Sequence, residues 1–91
     1  MRRDVRWVEK LDGDVRREVR VGVSQRGINW QFWRSDVKRW DYTTPPTLQD
    51  WAALERRMAD RYARRNAPYD DLERVRKARA LAKDKTVNSE Q

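Results

Sequence analysis

Trp33 occupies a position where a large ring is unusual. Along residues 28–33, Ile28, Trp30 and Phe32 fall on one side of an alternating segment, while Asn29, Gln31 and Trp33 fall on the other. The same parity puts Arg6, Val8 and Lys10 from one upstream segment, and Arg16, Glu18 and Arg20 from the next, beside Trp33. Arginine and lysine around an exposed ring suit single-stranded nucleic acid: the cations hold phosphates and the ring stacks a base, for roughly 1–3 kcal/mol per base. Arg6, Lys10, Arg16, Arg20, Gln31 and Trp33 are therefore the expected contacts. The competing reading is structural, with Trp33 covered by another part of the chain or by a second copy, or set against the stems of Arg6 and Arg20 as a cation–π pair.

A second basic group follows at helical spacing. Arg57, Arg61 and Arg65 stand four apart with Arg64 beside them, and like charges at that spacing cost about 0.2–0.5 kcal/mol per pair unless an anion or an acidic side chain answers them. Asp60 is placed to answer Arg64. The row reads either as a solvated face or as a phosphate-contacting one. Trp40, Tyr42 and Trp51 flank Pro45-Pro46, an arrangement that fits an extended-peptide groove and fits core packing around a proline corner better.

Catalytic chemistry finds little support. With no Cys and no His, thiolate nucleophiles, Ser-His-Asp relays, disulfides and imidazole or thiolate metal sites are excluded. Ser35-Asp36-Val37-Lys38 has Ser-x-x-Lys spacing but falls in a turn, without the helix that presents such a pair. Three glycines make no phosphate-cradling loop, and Asp12, Asp14, Asp36, Asp41, Asp70 and Asp71 fall where carboxylates cap turns and helices. Metal-dependent nuclease chemistry on carboxylates alone is the one catalytic option left. The expectation is a binding domain that is not an enzyme, with no cofactor and no metal.

Charge points the same way. Formal net charge is +7, and 17 of the 22 basic residues are Arg, the side chain suited to bidentate phosphate contact and to stacking. Genome composition also produces Arg-rich chains, so charge alone does not name a partner. The hydrophobic fraction of 37% against 41% charged leans towards disorder, but five Trp among nine aromatics argue for a packed core. Asp4, Arg6, Glu9 and Lys10 interrupt any leader-like apolar run behind Met1, and the longest uncharged stretch, 42–49, is too short to span a bilayer. The chain is expected to be cytoplasmic, without membrane contact.

The elements that must position these residues follow from periodicity and punctuation. Val5 and Trp7 alternate with Asp4, Arg6 and Val8 in a strand that ends near Leu11, Asp12-Gly13 is a hairpin signal, and Val15, Arg17, Val19, Val21 and Val23 recur at every second position, with Gly22 marking a bulge. Gln25-Arg26-Gly27 turns the chain into the Trp33 strand, and Ser35-Asp36 turns it again towards a short edge strand or an irregular lead-in over 38–42. Pro45-Pro46 stops the sheet. Thr47 then caps a helix with Asp50 three residues on, with Leu48, Trp51, Leu54, Met58 and Tyr62 forming its apolar stripe. Asn66 in the left-handed position and Pro68 separate it from a second helix with a thin stripe of Leu72, Val75, Ala78 and Ala82, interrupted by Arg79.

The expected fold is α+β: a three- or four-stranded antiparallel meander with two C-terminal helices packed on one face. It forms a single domain over 1–83, with sheet 3–42, helices 47–65 and 68–83, and a disordered tail over 84–91. Its partner is expected to be nucleic acid, DNA or RNA. The alternative is a protein-interaction module (an adaptor, inhibitor or assembly factor) that meets an acidic protein surface or a second copy of itself through exposed Trp and Arg.

Overall fold

The computed structural model describes the backbone of residues 3–89 and the side chains of 4–84. It has a four-stranded antiparallel sheet followed by two helices, an α+β arrangement. The chain divides into two compact units, Met1–Pro45 and Pro46–Gln91.

The first unit is a meander in the order β1 (Arg3–Lys10), β2 (Arg16–Ser24), β3 (Gly27–Arg34) and β4 (Arg39–Asp41). Trp7 lies opposite Val19 and Val19 opposite Phe32, while Val5, Val21 and Trp30 make the neighbouring row. Val5, Trp7, Val19, Val21, Val23 and Phe32 are buried, each contributing about 1.5–3 kcal/mol on full burial. Trp30 makes an edge contact with Trp7 at 6.2 Å and stacks on Phe32 at 5.9 Å, geometries worth about 0.5–1.5 kcal/mol beyond area.

The turns differ in detail from the sequence expectation. The first hairpin turns at Asp12–Asp14, where the Asp12-Gly13 signal falls, with Gly13 and Asp14 as its left-handed residues, and the Leu11 N–H donates to the Val15 carbonyl at 2.7 Å. Gly supplies the first positive φ without strain, and Asp tolerates the second. No bulge forms at Gly22, which pairs in register with Asp4 and Asn29. The 38–42 segment does pair: Lys38 adopts φ 58°, its N–H donates to the Arg34 carbonyl at 2.8 Å, and β4 forms from the next three residues.

In the second unit α1 (Leu48–Ala63) opens with a capping box. The Thr47 hydroxyl accepts from the Asp50 N–H at 3.1 Å, and Asp50 accepts from the Thr47 N–H at 2.9 Å. Leu54 and Met58 are fully buried, Trp51 is half-buried, and Leu48 and Tyr62 at the ends of the stripe are exposed. α2 (Tyr69–Ser89) packs on α1 and buries Leu72 and Val75. Arg79, the charge within the thin stripe of α2, is answered across the pair by Glu55 of α1 at 3.1 Å. α2 continues past Lys83, so the expected tail is helical as far as Ser89; Glu90 and Gln91 lie outside the described residues.

The end of α1 departs most clearly from the sequence reading. The helix closes with a paired hydrogen-bond pattern in which Asn66 N–H donates to the Arg61 carbonyl at 2.7 Å and Arg65 N–H to the Tyr62 carbonyl at 3.0 Å. This is a Schellman motif, and its left-handed residue is Arg65 at φ 60°, not Asn66. An L-residue there costs roughly 1–2 kcal/mol that glycine does not. Arg65→Gly is therefore expected to raise stability by about 1 kcal/mol, read as a higher denaturant midpoint with unchanged slope; a lower midpoint would show that the Arg65 side chain contributes more than its backbone costs.

Candidate nucleic-acid interface

Strand register decides which side chains share the open face of the sheet. Arg6, Arg20 and Gln31 form one row across β1, β2 and β3, and Val8, Glu18, Trp33 and Trp40 form the next across all four strands. Lys10 and Arg16 are paired beyond them. All six sheet residues singled out from sequence thus lie on one face. Arg6, Val8, Lys10 and Arg16 are exposed, while Glu18, Arg20, Gln31, Trp33 and Trp40 are half-buried.

The cation–π pair of this face is not the one expected. Arg20 sets its guanidinium 4.7 Å from the ring centre of Trp40, rather than over Trp33. A cation–π contact of this kind contributes about 0.5–2 kcal/mol, more as water is excluded. The Arg20 Nε–H is buried and has no acceptor among the described residues. Trp33 and Trp40 sit directly opposite each other, so the face carries two indoles where sequence parity located one. The missed residue, Trp40, had a usable signal: four residues separate Arg34 from Arg39, and a loop of that length pairs Trp40 with Trp33.

Asp41 anchors the strand that carries Trp40. Its carboxylate accepts from the Thr43 N–H at 2.9 Å, the Thr43 hydroxyl at 3.1 Å, the Thr44 N–H at 3.1 Å and the Thr44 hydroxyl. Led by the Thr44 hydroxyl, these bonds hold its pKa well below the ordinary carboxylate range. Ser35 is equally committed: its hydroxyl accepts from the Arg16 N–H at 2.9 Å, and its own N–H donates to the Arg16 carbonyl at 2.9 Å. With Lys38 in a left-handed turn conformation, Ser35 and Lys38 act as hairpin residues.

The helical arginines form a separate group in the second unit. Arg57 and Arg61 stand one turn apart on α1, but Arg64 is the C-cap and Arg65 leaves the helix in the left-handed conformation, so the expected row ends at Arg61. Asp60 does pair with Arg64, at 3.5 Å. Both are exposed, which limits the pair to about 0.3–0.5 kcal/mol. Among the described residues no cluster of acidic side chains is arranged to hold a metal ion, and no helix is long and apolar enough to cross a membrane. No protein-family model, curated protein or solved structure matches the chain.

The Asp41 turn gives a pH test of how β4 is held. Because the folded state depresses the Asp41 pKa, its contribution is complete above the unfolded carboxylate value of about 4 and is lost as pH falls below that towards the depressed value. Asp41→Asn is expected to lower the unfolding midpoint at pH 7, with the gap to the native chain closing below about pH 4. A gap that is constant with pH would mean the carboxylate charge plays no part in the turn.

Proposed function

We propose that the open face of the sheet binds single-stranded nucleic acid, as a non-enzymatic domain that contacts phosphates through Arg6, Lys10 and Arg16 and stacks bases on Trp33 and the Arg20–Trp40 pair. The observation that carries the reading is the Arg20 guanidinium over the Trp40 ring, 4.7 Å from its centre, beside Trp33. Bases stack on guanidinium planes as well as on indole rings, and every base presents a π-face, so such a platform tolerates any sequence. Gln31, in the row next to Trp33, adds a side-chain donor and acceptor. Arg57, Arg61 and Arg64 supply further positive charge from the second unit.

A second reading has support from Val8, which is 58% exposed in the same row as Trp33 and Trp40. An apolar residue beside two indoles and several arginines suits a protein interface, including a self-complementary one.

Titration with a labelled single-stranded oligonucleotide over a range of salt separates the two. Affinity is expected to fall linearly on a log–log plot with a slope of about −0.7 per phosphate contacted, less steeply in Arg6→Gln. Trp33→Ala is expected to weaken binding by roughly 1–3 kcal/mol while its denaturant midpoint moves little, and Trp30→Ala to unfold more readily. Affinity that ignores salt, or salt-insensitive dimerisation in light scattering, would favour the protein partner.

A further inference from the structure

The opposite face of the same strands carries a basic cluster that the stacking platform does not use. Arg17 of β2 pairs with Arg34 of β3, and Arg34 with Arg39 of β4, which makes a row of three arginines on neighbouring strands. Strands lie about 4.8 Å apart, and like charges directly opposite are unfavourable in a sheet unless something answers them. Glu9, opposite Arg17, bonds its guanidinium at 3.2 Å. Asp36 receives the Arg34 Nε and Nη2 at 3.1 and 2.9 Å. Among the described residues no carboxylate pairs with Arg39, the last member of the row.

These three arginines line one cleft of about 280 Å³, with Phe32 and Val37 as its apolar lining and Asp41 and Thr44 completing it. Phe32 fixes Arg17 by a cation–π contact at 4.5 Å. Asp36 holds Arg34 by two bonds and leaves its second terminal nitrogen unused by that pair. Among the described residues Asp41 is the one acidic side chain in the lining, and its oxygens already accept four hydrogen bonds from Thr43 and Thr44. Two arginines are therefore held in place and a third lacks a counter-charge, around a space sized for a small group. Guanidinium forks match the oxygen spacing of phosphate and bind it bidentately.

We propose that this cleft is a receptor for a phosphate monoester group, held by Arg39 and the fixed guanidinium groups of Arg17 and Arg34. Cations on three consecutive strands surround the dianion, and Phe32 and Val37 lie against whatever the phosphate is attached to. The site is independent of the stacking platform, because alternation sends Arg17 and Arg16 to opposite faces. The same chemistry serves a small phosphorylated molecule or the phosphorylated end of a nucleic-acid strand.

The test is a titration of the full chain with inorganic phosphate, followed by side-chain and amide NMR, alongside Arg39→Gln and Arg16→Gln. Saturable shifts at Arg17, Arg34 and Arg39 are expected, about tenfold weaker in Arg39→Gln, as for loss of a charge-assisted pair, and unchanged in Arg16→Gln. The amide spectrum of Arg39→Gln away from the cleft reports whether it remains folded, and Arg39→Lys, which keeps the charge and loses the fork, is expected to recover only part of the affinity. A second arm compares 5′-phosphorylated with 5′-hydroxyl oligonucleotide. A preference for the phosphorylated strand that disappears in Arg39→Gln assigns the group to a strand end, and equal binding of the two assigns it to a small ligand. Phosphate shifts that do not saturate, or that are the same in Arg39→Gln, would overturn the proposal.

Discussion

In the register that sets Trp7, Val19 and Phe32 opposite one another across three strands, every side chain of the sheet is assigned its face. Because side chains alternate with period two, a slip of one residue would exchange the faces completely. It would send the buried valines of β2 to the open side and bring Arg16, Glu18 and Arg20 into their place. Burial of Val5, Val19, Val21 and Val23, each less than 2% exposed, makes that exchange prohibitive. The two basic clusters are consequences of this constraint: one set of rows carries Arg6, Arg20, Trp33 and Trp40, and the intervening set carries Arg17, Arg34 and Arg39.

The turns convert that pairing into geometry. Gly13 and Asp14 in left-handed conformation return β2 against β1, and the four-residue loop before Arg39 returns β4 against β3. Asp41 then closes the edge by gathering Thr43 and Thr44 around one carboxylate. A strand of only three residues has few ladder bonds of its own, so this turn matters to where the Trp40 ring lies. With Trp40 in place, the Arg20 guanidinium gains a ring to sit over, which restrains a long, flexible side chain.

Much of the sheet was legible because its signals are local. Alternation identified β1, β2 and β3, the Thr47–Asp50 pair identified the start of α1, and the parity of Trp33 placed the six open-face residues together. What escaped depended on partners distant in sequence or on exact loop length. The Arg17–Arg34–Arg39 row requires two hairpin registers at once, and Trp40 requires the second of them. Arg79 read as a flaw in a thin stripe because its partner, Glu55, lies 24 residues away. Arg65 escaped for a different reason: residue preference favours Asn at the left-handed position of a helix end, and here hydrogen-bond geometry puts the preceding arginine there instead.

The proposed stacking role of the open face is tested most directly by side-chain N–H resonances during titration with a short single-stranded oligonucleotide. The predicted result is that the indole N–H signals of Trp33 and Trp40 and the Arg20 Nε–H signal move together and saturate, while those of Trp7 and Trp30, on the buried side, stay in place. Movement confined to the arginines of α1, with the Trp33 and Trp40 signals fixed throughout, would contradict a binding role for the open face of the sheet.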